Sequence, residues 1–196
     1  MFWIVTNPKA GRMQRSVSYE LSPNADQVAS LLEVFRDYSD LCNWLADIVR
    51  RHPVGVTKKV MSVKVARVAV LGLPELNEVT KDGFKIIPSR YVWLALTRVI
   101  GGLGRDKDRR YTAQDYVDVD SKLARFKLNN ELNQPFDLVF SIKEFRTADR
   151  VRLDVPCRYC GEVEGFDWLP LGNVILVHNR NIWRVVVAVD VPDDDD

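Results

Sequence analysis

Residues 14–21 alternate partly between polar and apolar positions, which predicts a strand. A strong helix start follows. Ser22 or Asn24 can cap, Pro23 suits a first helical position, and Asn24 with Gln27 has capping-box spacing. The apolar stripe Val28, Leu31, Leu32, Phe35, Tyr38, Leu41, Leu45, Ile48 and Val49 then keeps helical spacing for about six turns. Arg50-Arg51-His52-Pro53 closes it with cations and a proline stop. Residues 53–65 are expected to form a loop carrying Lys58 and Lys59. Over 66–80 the short run Val68-Ala69-Val70-Leu71 fits a strand or a buried helix, and periodicity does not choose.

A second helix is predicted from Ser89 to about Leu103, after Pro88, with Tyr91, Leu94, Ala95, Val99 and Leu103 near one face. Gly101, Gly102 and Gly104 are expected to end it. The charged run Arg105 to Arg110 is expected to be a mobile connector. From about residue 115 the period changes to two. Candidate strands are Tyr116–Val119, Leu123–Leu128, Leu138–Ile142, Arg150–Val155, Asn173–Val177 and Trp183–Asp190. The last two flank His178-Asn179-Arg180-Asn181, a hairpin turn in composition. Short strands at close spacing suggest a small antiparallel barrel or sandwich, so the class is α+β.

Composition narrows the functional classes. With 46% hydrophobic residues the chain is globular, not disordered. No run approaches the roughly 20 apolar residues that a membrane helix needs. Lys9, Arg12 and Arg15 follow a short apolar start, which is not a signal-peptide layout. A cytoplasmic protein with no membrane partner is expected. The three cysteines, Cys42, Cys157 and Cys160, are then reduced thiols. The net charge of +1 hides an asymmetry, since residues 1–110 carry +7 and residues 111–196 carry −6. An anionic partner for the first part is therefore plausible.

Three stretches, in order, carry a resemblance. The first is Tyr19-Glu20-Leu21-Ser22-Pro23 with Gln27, Leu31 and Cys42-Asn43-Trp44. The second is Ile87-Pro88-Ser89 opening a helix with Leu94 and Leu96. The third combines Arg125-Phe126-Lys127, Arg150–Val155, Asn173–His178, Asn181-Ile182-Trp183-Arg184-Val185-Val186-Val187 and Val191-Pro192. Together they resemble the N-terminal half of the transposon-encoded TnpB and type V CRISPR effector nucleases. The likeness covers most of residues 14–192 and is poorest over 53–86.

The resemblance implies an OB-like antiparallel barrel, called the wedge domain, with a helical recognition insert after its first strand. The expected divisions are residues 1–23 for the N-terminal segment and first strand, 24–110 for the helical insert, and 111–196 for the remaining barrel with an acidic tail. It also implies binding of a structured guide RNA, of target DNA and of the RNA–DNA heteroduplex. The family's RuvC nuclease domain would begin beyond the closing Val191-Pro192. No catalytic residues, metal or cofactor are therefore expected here, and a separate RuvC-bearing chain is an expected partner, though loss of the nuclease is a further possibility.

The nucleic-acid candidates are basic and aromatic. Arg105, Lys107, Arg109 and Arg110 suit a phosphate backbone, with Tyr111 stacking on a base, although Asp106 and Asp108 offset half that charge and a solvated linker fits equally. Arg50, Arg51, Lys58 and Lys59 offer further phosphate contacts, as do Arg125, Lys127 and Arg180. The resemblance places Ser89, Arg90, Tyr91 and Trp93 against the flanking DNA motif, but Tyr91 and Trp93 also suit a core. Asn43 and Trp44 suit helix packing.

Other features point elsewhere. Cys157-Arg158-Tyr159-Cys160 is short of two zinc ligands and is expected as two thiols in a strand-end loop. Asp193–Asp196 with Asp190 suits a solvated tail better than a two-metal site. The two histidines form no catalytic set, and Gly101-Gly102-Leu103-Gly104 lacks the features of a phosphate loop. A competing class is a protein-binding adaptor with an OB-like barrel and no RNA, which the acidic second half favours.

Overall fold

The computed structural model describes residues 12–51, 63–74, 88–120, 122–128, 138–143, 152–160 and 173–192. They form two compact units. The first comprises residues 1–27, 116–142 and 153–196, and the second residues 28–115 and 143–152.

The first unit is a nearly closed antiparallel barrel. Its strands are β1 (Arg12–Leu21), β2 (Val117–Asp120), β3 (Ala124–Leu128), β4 (Leu138–Lys143), β5 (Arg152–Tyr159), β6 (Asn173–Asn179) and β7 (Ile182–Pro192). Their order in the sheet is β2-β6-β7-β1-β5-β4-β3. Alternation explains β1: Val17, Tyr19 and Leu21 are buried, while Ser16 is exposed. β1 pairs with β7 from Arg12↔Pro192 to Leu21↔Trp183, and its end also pairs with β5 from Tyr19↔Tyr159 to Leu21↔Cys157. In β7, Trp183, Val185 and Val187 point inward. The β6–β7 turn is Arg180-Asn181, with φ of 48° and 66°. Two consecutive positive φ values mark the turn whose twist suits a two-residue hairpin.

β5 runs further than the sequence suggests. It continues through Pro156 to Tyr159, so Cys157 is a fully buried strand residue rather than part of a loop, and Cys160 follows it exposed. Pro156 lacks an N–H, and pairing with β1 begins just after it, while its carbonyl accepts from Ser22 N–H at 2.8 Å. Burial pushes the Cys157 thiol up to about 12. Tyr19 packs between Phe126 (centroids 4.4 Å apart) and Tyr159 (5.6 Å), and burial foremost raises its hydroxyl pKa as well.

The helical unit contains most of α1 (Ala25–Arg51), together with α2 (Val63–Leu71) and α3 (Ser89–Leu103). Asn24 is the cap, not Ser22, which leaves Pro23 ahead of the helix. Asn24 N–H donates to Gln27 Oε1 (2.8 Å) and Gln27 N–H to Asn24 Oδ1 (2.9 Å), a reciprocal capping box. Leu31, Phe35, Tyr38, Leu41, Leu45, Ile48 and Val49 of α1 are buried. The segment around residue 68 is helix, and α2 packs on α3.

α3 ends at Leu103, where the sequence predicts. Gly101 and Gly102 lie inside it, and Gly104 ends it in right-handed geometry, φ −66°. Gly102 serves close approach instead: a Cβ there would meet the Tyr111 hydroxyl. Among the described residues no helix is long and apolar enough to cross a membrane.

Candidate nucleic-acid interface

Helix ends and the loop after α3 bring several of the predicted cations together in the helical unit. Arg50, in the last turn of α1, donates from Nε to Lys107 O (2.9 Å), from Nη2 to Arg109 O (2.6 Å) and from Nη1 to Asp47 Oδ1 (2.8 Å). Arg110 reaches the same carboxylate oxygen at 3.0 Å. Arg109 Nη2 lies 3.9 Å from Asp115 Oδ1, which Arg98 approaches at 3.5 Å.

The expected mobile connector is therefore pinned. A guanidinium offers five donors in a fixed fork, so one side chain can hold two carbonyls and an acid. Arg50 performs this role, with Nε, Nη1 and Nη2 each bonded to a group of its own unit.

Tyr111 is pinned from both sides of its backbone. Its N–H donates to Asn43 Oδ1 (2.9 Å) and its carbonyl accepts from Asn43 Nδ2 (2.8 Å). The ring is 4% exposed and lies near the guanidinium groups of Arg98 and Arg109. Base stacking by this ring, as the sequence suggests, is not open to it. Tyr91 is likewise buried, with its hydroxyl donating to Lys143 O (2.9 Å) and its ring edge-on to Tyr38. Asn43, expected to serve packing alone, is the hydrogen-bonding clasp of this corner.

Other candidates stay accessible. Arg51, Ser89, Arg105, Lys107 and Arg110 are exposed, and Arg90 and Trp93 are half-buried. In the barrel, Arg125 is exposed on β3, two residues before Lys127, whose Nζ is 2.7 Å from Asp154 Oδ2. Arg180 is exposed at the β6–β7 turn. Lys58, Lys59 and Asp193–Asp196 lie outside the described residues.

One basic residue carried no signal in the sequence. Arg67 of α2 is only 9% exposed, and its Cζ sits 3.5 Å from the centroid of the Trp93 indole. Arg90 Cζ lies 4.2 Å from the same ring. Arg67 Nη1 donates to Thr97 Oγ1 (2.9 Å), and that hydroxyl donates to Trp93 O (2.9 Å). Burial, and then the like charge of Arg90, hold the Arg67 pKa below the usual arginine value. Only the pairing of a helical turn on α2 with one on α3 reveals this cluster. Among the described residues, no group of three or more His, Cys, Asp or Glu side chains is placed to hold a metal. The chain matches no protein-family model, and a search of curated proteins finds no relative for it.

Proposed function

We propose that this chain is a nucleic-acid-binding module that does no chemistry itself. It binds a structured guide RNA and, through it, target DNA, in the manner of the N-terminal half of TnpB and type V CRISPR effectors. Its barrel is of the OB-like wedge type, and cleavage is the work of a separate RuvC-bearing chain.

The observation that carries this reading is the chain order. One barrel strand, β1, is followed by the three described helices, and six further strands then rejoin the same sheet on both sides of β1. The exposed cations Arg51, Arg105, Lys107, Arg125 and Arg180 support it as phosphate contacts. Such a module holds RNA by shape and backbone and leaves sequence to base pairing.

The test is purification from the native host at low salt, followed by sequencing of the RNA that accompanies the chain. One structured RNA is expected, with binding that weakens as salt rises, each neutralised phosphate adding roughly 0.7 to 0.9 to the logarithmic slope. Absence of RNA at low salt refutes the reading.

A second reading, a protein-binding adaptor, draws on a specific observation. Arg50 and Arg109 engage acids and carbonyls of their own unit, and Tyr91 and Tyr111 are buried, so part of the expected phosphate-and-base surface is taken up by the fold itself. A protein partner held independently of salt would favour it.

A further inference from the structure

We infer that the corner made by the last turn of α1 and residues 105–110 is a docking surface for the backbone of an RNA helix, with Asp47 as a built-in competitor that tempers it. Three guanidinium groups converge on this one acidic residue. Arg50 and Arg110 both donate to Asp47 Oδ1, at 2.8 and 3.0 Å, and Arg51 Nε donates to the Asp47 carbonyl at 3.3 Å. One carboxylate cannot neutralise two guanidinium groups, and the third meets only a carbonyl. The acids of the loop do not close the gap. Asp106 accepts from Asp108 N–H at 3.1 Å, and five cations (Arg50, Arg51, Arg105, Lys107 and Arg110) stand against three carboxylates (Asp47, Asp106 and Asp108).

This surplus sits on a fixed frame. Arg50 holds Lys107 O, Arg109 O and Asp47 with its three nitrogens, which makes it a positioning residue for the loop. Arg51, Lys107 and Arg110 are exposed, and the Arg110 side chain keeps 61% of its surface in solvent. Among the described residues Arg110 is bonded through Nη1 alone, so Nε and Nη2 remain as the edge that takes two phosphate oxygens.

The form of the partner follows from the ring this loop withholds. Single strands bind through stacked bases as well as through charge. The ring of this loop, Tyr111, is 4% exposed, and Asn43 clasps its backbone. Cations without a stacking platform fit a helix, whose bases are already stacked and whose phosphates lie outside. That the helix is RNA rests on the proposed function. Asp47 then competes with phosphate for Arg110 and holds binding below what the cations alone would give.

The test measures binding of a short RNA hairpin, and of oligo(U) with as many phosphates, as salt is raised. The full chain is compared with three variants. Asp47→Asn keeps an acceptor for Arg50 and Arg110 but removes the competing charge, and should tighten hairpin binding several-fold. Arg110→Gln should weaken it by roughly five-fold and lower the logarithmic salt slope by up to about 0.9. Lys107→Ala should lower the slope as well and leave the urea midpoint unchanged. The wild type should prefer the hairpin to oligo(U).

Hairpin binding that ignores all three substitutions overturns this inference and leaves the guide-RNA reading to the RNA that accompanies the chain from its host. Oligo(U) bound as tightly as the hairpin overturns it, as does weaker binding by Asp47→Asn with an unchanged urea midpoint. Binding of neither RNA overturns it too, because a backbone contact needs no particular sequence. Substitution-sensitive hairpin binding by a chain that brings no RNA from its host keeps the surface and removes the guide-RNA reading. If Asp47→Asn or Arg110→Gln does not fold, Lys107→Ala and the hairpin preference still decide.

Discussion

Two adjacent glycines in α3 should respond to alanine with opposite signs. At Gly101 an added Cβ meets nothing within 4 Å. Alanine there reduces the entropy lost on folding, and Gly101→Ala should stabilise the helical unit by about 0.5–1 kcal/mol. At Gly102 the same gain is opposed. The new Cβ collides with the Tyr111 hydroxyl and comes within 3.0 Å of Arg109 Cδ. Arg109 is a flexible, half-buried side chain and can give way.

Tyr111 cannot move as easily. Its ring is rigid and buried, and Asn43 holds its N–H and its carbonyl. Overpacking against such a wall costs roughly 1–3 kcal/mol. After the propensity gain, Gly102→Ala should destabilise by about 1–2 kcal/mol, and the two variants should differ by about 2 kcal/mol.

Urea denaturation followed by helical circular dichroism measures both. Tyr111→Phe supplies the control. It removes the colliding oxygen, and the next ring atom, Cζ, is an ordinary 3.5 Å from the added Cβ. In that background Gly102→Ala should lose its penalty and behave like Gly101→Ala. Equal effects at the two glycines, or a penalty that persists without the hydroxyl, would refute the argument.

Asn43→Ala removes two hydrogen bonds and strands the part-buried N–H and carbonyl of Tyr111. A loss of about 2 kcal/mol is expected in the same urea assay. Arg50→Lys cannot hold the Lys107 and Arg109 carbonyls together, so trypsin should cut after residues 105–110 several-fold faster than in the wild type. The barrel should weaken at alkaline pH. Burial raises the Cys157 thiol from 9.0 to about 12, so above pH 9.0 the unfolded chain releases a proton that the folded chain keeps. The unfolded state then binds fewer protons, and stability falls by about 1.4 kcal/mol per pH unit until the folded pKa is reached. Tyr19, raised in the same direction, adds to the fall at higher pH. Cys157→Ala should flatten the urea-midpoint profile between pH 9.0 and about 12, and an unchanged profile would exclude Cys157 as its source.

The features legible in the sequence are those fixed by near neighbours. The α1 stripe, the Asn24–Gln27 box and the Arg180-Asn181 turn depend on residues a few positions apart, and each forms where its local pattern places it. Distant contacts decided the rest. Val68-Ala69-Val70-Leu71 is as apolar and β-branched as a strand, yet it is helical, with Val70 buried and Val68 63% exposed. Packing on α3 outweighs that intrinsic preference. Gly101-Gly102 has the composition of a terminator, but the ring of Tyr111, nine residues beyond Gly102, requires the missing side chain.

The same distinction governs how charge should be counted. The excess of +7 over residues 1–110 treats every cation alike. Arg50 is bound to two carbonyls and an acid that lie in its own unit, Arg110 shares that acid, and Arg109 lies beside Asp115. Exposed Arg51, Arg105 and Lys107 keep their heads in water, where phosphate can displace it. Arg67 belongs to neither group, because it is buried, lies over the Trp93 indole and donates to Thr97. An exposed cation neutralising a phosphate gains mostly through release of counterions, so its contribution fades with salt. Affinity that salt abolishes would therefore come from the exposed cations, whatever the sum of charges in the sequence.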